Sequence, residues 1–208
     1  RHLPKHRQEV FKSLKEEVGS IHEELPRAYP LVDSHFHLAE LLRKVGGRNL
    51  QDVLDSEPVV DESFQLQYAI SNYCYPWKWP DRQQRRRILK DPRIKIAIGA
   101  HPRFASEFKR AEHLDRLERY LQEDGVVALG EVGLDYSESV SSKDRECQEP
   151  VLREVLPLAA RLHLPIIVHC RGGEEATQDC LRILRRYLHP RHSIHCHCFS
   201  GTTNELLK

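Results

Sequence analysis

The chain has 208 residues, 39% of them hydrophobic, with 32 basic and 31 acidic side chains. That is enough for one large domain with a real core, and a net charge of +1 gives no global argument for a nucleic-acid or membrane partner. No apolar run approaches the ~18 residues of a membrane span, and the opening RHLPKHRQEV is no signal peptide.

In chain order, Val10, Phe11, Leu14, Val18, Ile21 and Leu25 recur at helical spacing and predict an amphipathic helix over residues 5–25. Two prolines in ELPRAYP end it, so residues 1–29 read as helix plus linker and residues 30–208 as the main domain. Six short apolar runs follow: PLVDSHFHL, LQYAISNYC, IKIAIGAHP, VVALGEVGLD, LPIIVHCR and HSIHCHCFS. Between them lie amphipathic stretches such as FKRAEHLDRLERYLQED, CQEPVLREVLPLAARLH and EEATQDCLRILRRYL. Apolar strands alternating with helices predict a parallel sheet covered on both faces. No glycine-rich phosphate loop follows any run, which weakens nucleotide-binding readings.

Reactive side chains gather at the C-terminal ends of the runs: His35 and His37, His101, Glu131 and Asp135, His169 and Arg171, His195 and His197. That distribution favours a (β/α)8 TIM barrel over a doubly wound sheet. About six of the eight βα units are visible, and GTTNELLK reads as the opening of a sixth helix. The chain also lacks Met. Both features are read as signs of a piece of a longer protein whose barrel is incomplete at the C-terminus. Six scattered cysteines without a secretory signal predict an intracellular, reduced protein, cytoplasmic or nuclear.

Residues i and i+2 of a strand share a face, so His35 with His37, Glu131 with Asp135, and His169 with Arg171 would all point into the barrel mouth. Imidazoles converging on a carboxylate suit a divalent metal. A single histidine would more often be a hydrogen-bonded core residue, but four strands ending in His or Glu make coincidence a poor account. Asp33 reads as a structural hydrogen-bonding residue. Cys196 and Cys198 alternate away from His195 and His197, and are expected under helices as small buried thiols.

The motifs D-S-H-F-H-L, G-A-H-P-R-F-A, A-L-G-E-V-G-L-D-Y, P-I-I-V-H-C-R and H-C-F-S-G, in this order, resemble the TatD-type deoxyribonucleases of the metal-dependent hydrolase superfamily. The resemblance runs from Pro30 to Gly201. It implies that His35 and His37 hold one divalent ion, that Glu131 bridges to a second as the central catalytic carboxylate, and that His169 and His197 hold the second. It further implies two Mg2+ or Mn2+ ions, with Zn2+ as an alternative, and a substrate of DNA or, failing that, RNA, cleaved as by an exonuclease. The family also carries a last-strand aspartate that no residue here matches.

His101 is expected to face the substrate, though a turn role before Pro102 competes. Arg171 is expected to contact a phosphate, with an ordinary salt bridge nearly as good a reading. Asp135 would contact substrate, orient a ligand or water, or cap a turn. Tyr73, Tyr75, Trp77 and Trp79 in YCYPWKWP either stack on unpaired bases or plug the barrel rim. The basic RQQRRR and RILRRYLHPRH segments read as solvated helix faces of the outer ring. Two rival readings stand beside the nuclease: a small-molecule amidohydrolase or phosphotriesterase-like enzyme, and an inactive truncated form acting as an interaction module. No membrane partner is expected, and the oligomeric state is not legible.

Overall fold

A computed structural model describes residues 29–56 and 63–206; the helix expected over residues 5–25 lies outside them. Six strands form one all-parallel sheet in sequential order. They are β1 (Tyr29–Phe36), β2 (Phe64–Tyr73), β3 (Ile94–Ile98), β4 (Val126–Asp135), β5 (Ile166–Arg171) and β6 (Ile194–Cys196). The connections carry α1 (Leu38–Val45), α2 (Leu50–Asp55), α3 (Arg82–Ile88), α4 (Arg110–Leu121), α5 (Ser142–Leu162) and α6 (Gly173–Tyr187), and α7 (Thr203–Leu206) follows β6. Each predicted apolar run overlaps one strand, with β1 and β2 starting one and two residues earlier than predicted.

The helices begin and bury as their sequences dictate. Asp81 caps α3 in a reciprocal capping box with Gln84, and the Ser141 side chain accepts from Asp144 N at the start of α5; such caps satisfy amides that have no partner inside the helix. His113, Leu117 and Leu121 bury one stripe of α4, and Ala176, Cys180, Ile183 and Leu184 one stripe of α6. These stripes close over Ile96, Ile98, Leu129, Leu134, Ile166 and Val168 of the central strands. Each such side chain removed from water contributes ~1.5–3 kcal/mol. In the basic segment of α3, Arg85 is buried in an ion pair with Glu123 while the other arginines are exposed. Among the described residues no helix is long and apolar enough to cross a membrane.

The cover is uneven. Leu31, Val32, Phe64 and Tyr68 near the starts of β1 and β2 are exposed, so full burial of both sheet faces holds only for the central strands. Cys196 and Cys198, expected under helices, are exposed as well. The reason is local: β6 is three residues long and α7 only four, which leaves little to lie over them.

The sheet is curled. Neighbouring strands lie ~4.8 Å apart, so the first and sixth strands of a flat sheet would be separated by more than 20 Å. Instead the rings of His35 on β1 and His197 just past β6 stack with centroids 3.6 Å apart. The C-terminal ends of the strands therefore meet around a common mouth, as the barrel reading requires. Close strand approach inside it depends on Gly133, whose φ is +148°; a Cβ there would lie 1.9 Å from the His169 carbonyl oxygen.

Candidate metal centre

One carboxylate organises the mouth. Glu131 is 2% exposed, and its two oxygens divide the surrounding imidazoles. Oε1 lies 3.3 Å from His35 Nε2 and 3.3 Å from His37 Nε2. Oε2 lies 3.5 Å from His169 Nδ1 and 3.7 Å from His101 Nε2. A slip in the β4–β5 ladder between Gly130 and Val132 leaves Glu131 in phase with Gly133 and Asp135. Leu129, Val132 and Leu134 pack instead into the main core.

The partners of the far ring nitrogens fix what each histidine can do. His37 Nδ1 donates to the Asn72 carbonyl at 3.3 Å, so in the neutral ring Nε2 carries the lone pair facing Glu131. His169 Nε2 donates to Asp135 Oδ2 at 3.0 Å, which leaves the Nδ1 lone pair towards Glu131 in the same way. Asp135 is itself held. Its backbone exchanges two 2.9 Å bonds with the Gln148 side chain, and Oδ1 accepts from Ser137. Carboxylates placed behind histidines in this manner orient metal ligands. His101 differs, because its Nδ1 accepts from Arg103 N at 3.2 Å. The neutral ring then carries its proton on Nε2 and presents a donor to the mouth.

This arrangement fits a cation. Neutral nitrogens that point their lone pairs at a carboxylate oxygen repel it unless a proton or a metal lies between them. His35 supplies a second sign. Both of its ring nitrogens are buried without a hydrogen-bond partner among the described residues, and its Nε2 sits near Glu131 Oε1 but off the line of a hydrogen bond. His35, His37 and Glu131 form one group of ligand atoms close enough to share an ion, and His101, Glu131 and His169 another. Within the second group the tautomers give His169 a lone pair and His101 an N–H donor towards Glu131.

The electrostatics agree. Burial alone would raise the Glu131 pKa, but the imidazoles of His169, His35 and His37, which in their protonated form take the place of a cation, outweigh it and hold the carboxyl far below its ordinary range. Contact with Glu131 raises the His37 pKa despite burial. Burial, with the nearby charge of His169, lowers that of His101 to about 4, so the ring is neutral at pH 7 and keeps its donor tautomer.

Other predicted residues fall beside this centre. His197 stacks on His35 at the mouth, outside both ligand groups, because β6 ends at Cys196 and the chain turns there. Its pKa is brought to about 4 by burial and by His35. The His195 ring lies farther off, 6.2 Å from His35. Asp33 Oδ1 accepts from His35 N at 3.0 Å, the structural bond expected of it. Arg171 is not gathered in: it ends β5 exposed, before the left-handed Gly172, and borders a separate cavity with Cys170, Cys196 and His197.

The cation at the mouth is Arg103, with Nε 3.8 Å from Asp135 Oδ2. Sequence reasoning passed over it, although it stands two residues beyond His101 in the motif G-A-H-P-R-F-A. It also passed over Cys74, whose thiol donates to Glu131 Oε1 at 3.5 Å, and Asn72, whose role is a main-chain carbonyl that no side-chain pattern reveals.

A curled parallel sheet with imidazoles and one shared carboxylate at the C-terminal ends of its strands is the arrangement of a (β/α) barrel with a candidate metal site at its mouth. The chain belongs to the family described as TatD related DNase, which matches residues 32–208. It is 32% identical over 173 residues to the human 3'-5' RNA nuclease TATDN2, covering 82% of this chain and 22% of that protein. It is 40% identical over 108 residues to the 3'-5' ssDNA/RNA exonuclease TatD of Pantoea sp. (strain At-9b), covering 52% of this chain and 39% of that one. Among solved structures, a TatD family hydrolase from Entamoeba histolytica matches with a TM-score of 0.65 at 22% identity, over 88% of this chain and 62% of that one. YJJV, a TatD homologue from Escherichia coli K12, matches at 0.63 and 23%, over 84% and 62%. The chain therefore spans less than two thirds of each of these relatives.

Proposed function

We propose that this chain carries the active site of a divalent-metal-dependent nuclease that hydrolyses phosphodiester bonds of single-stranded DNA or RNA from the 3' end. The observation that carries the reading is Glu131, one buried carboxylate whose two oxygens each face two histidines. Support for the substrate comes from the relatives' names, and support for the metal from the lone pairs of His37 and His169 and the unsatisfied His35.

His35, His37 and Glu131 would hold one ion, and Glu131 and His169 a second, with His197 on the rim as its further ligand. Mg2+ or Mn2+ is favoured by the central carboxylate and Zn2+ by the imidazoles. Bound there, the ions supply a water of lowered pKa and polarise the phosphoryl oxygen. The chain's own side chains do the rest. Asp135 keeps the His169 proton on Nε2, so Nδ1 stays a ligand atom. His101 Nε2–H donates to a phosphoryl oxygen, and Arg103 places a guanidinium beside it. Free cysteines throughout the described residues favour a reducing compartment, cytoplasm or nucleus.

The test incubates the protein with end-labelled single-stranded DNA and RNA, with Mg2+ or Mn2+, and then adds a chelator. Nucleotide release that stops on chelation and is lost in Glu131→Ala is expected. No release under any metal, or release that survives both treatments, refutes the reading.

A further inference from the structure

Next to the metal centre lies a cleft of about 250 Å³ lined by His37, Glu40, Tyr75, Trp77, Lys78 and Phe104. Trp77 is 54% exposed and Phe104 42%, large apolar rings left in water although neither belongs to the core. They stand edge to face, with centroids 5.5 Å apart and planes at 84°. Each also packs on Tyr75, at 5.5 and 5.4 Å, so three rings from two separate loops enclose one space. The Pro102–Glu107 turn breaks from helical geometry at Phe104, the position where the ring is presented.

Two contacts make the cleft continuous with the centre. His37 lines it while facing Glu131, and Tyr75 stacks on His101 with planes at 22°. On one side Lys78 Nζ lies 5.4 Å from the Tyr75 ring and pairs at 3.0 Å with Glu40, whose carboxylate also lines the cleft. Flat apolar faces beside a cation suit an unpaired nucleobase followed by its phosphate. A bare rim plug would bury these rings rather than expose them.

We propose that Trp77 and Phe104 form the seat of a nucleobase of the single-stranded substrate, with Lys78 at the adjoining phosphate. The inference rests on the nuclease reading and names the part of the substrate recognised beside the reacting bond. Trp77 and Phe104 act as positioning residues for the strand, and the phosphodiester at Glu131 is set by the base held in the cleft.

The experiment compares oligothymidylate with an abasic phosphodiester strand of equal length, for the wild type, Trp77→Ala, Trp77→Phe and Phe104→Ala. Binding is measured with a chelator present, and hydrolysis with Mg2+ or Mn2+. Alanine at either ring is expected to weaken oligothymidylate binding and raise its KM by ~5- to 100-fold, the weight of one base–aromatic stack, with a smaller change in kcat. The abasic strand should bind the wild type as weakly as oligothymidylate binds the variants, and the alanines should cost nothing further on it. Of the two tryptophans, Trp79 is buried. Oligothymidylate should therefore quench wild-type tryptophan fluorescence, and Trp77→Phe should keep affinity but lose the quench.

Equal losses on both strands, or no loss on either, overturn the proposal. Should no strand be cleaved by the wild type, the nuclease reading fails. The binding and quenching arm then still decides whether the cleft takes a base.

Discussion

Glu131→Gln keeps the volume of a buried side chain while removing the charge shared by His35, His37, His101 and His169. Unit charges 4 Å apart attract by ~4 kcal/mol at an effective dielectric constant near 20, and a divalent ion doubles this to ~8 kcal/mol. If the amide dipole and local relaxation recover two thirds, about 2.7 kcal/mol remains, a ~100-fold loss of metal affinity. Thermal unfolding reads this directly. A metal at 100 times its Kd stabilises the folded state by ~2.7 kcal/mol, which raises the Tm of a domain this size by about 5–11 °C. At the same metal concentration the variant would sit near its own Kd and gain ~0.4 kcal/mol, or roughly 1–2 °C. The assay is a pair of melting curves, with and without Mn2+, for each protein. A variant whose Tm rises with metal as far as the wild type's would show that Glu131 is not the organising ligand.

Two further outcomes follow from neighbouring contacts. Asp135→Asn removes the acceptor that holds the His169 proton on Nε2, so metal affinity measured by calorimetry should fall ~10- to 100-fold while the metal-free melting temperature changes little; unchanged affinity would refute the orienting role. At the start of α5, burial opposes ionisation of Asp144, but bonds from Ser141 and Ser106 prevail and depress its pKa. Its stabilisation is therefore complete above the ordinary aspartate value of ~3.9 and is lost as pH falls through the lower folded value. Asp144→Asn should be the less stable protein at pH 7 by ~1 kcal/mol, as for a lost cap contact, and the gap in denaturant midpoint should close below pH 3; a gap independent of pH would refute the assignment.

The strands were legible because a buried parallel strand is a short apolar run with turn residues at its ends, and each of the six runs overlaps one. The H-x-H pair, Glu131 and His169 were legible because their motifs come in a specific order and their i, i+2 spacing sets a common face. The same alternation gives Arg171 the face of His169, but it stands exposed at the strand end beside a left-handed glycine. His197 was named by its motif, and the turn after Cys196 sets it on the rim against His35. What no spacing encodes is the role of the far ring nitrogen: the Asn72 carbonyl behind His37 and the Arg103 amide behind His101 come from other strands and turns. They separate a ring that offers a lone pair from one that offers a proton among residues of one type.

The stack of His35 on His197 joins the first described strand to the last, and the ligand groups draw on β1, β4 and β5 together. Ions held at Glu131, by His35 on one side and by His169 on the other, would thus clasp parts of the chain remote in sequence. Contacts of that kind carry the largest loop-closure entropy, and the unfolded chain offers no preformed site to compete for the ion. Loading such a centre would add the binding free energy of the ion to the stability of the curled sheet.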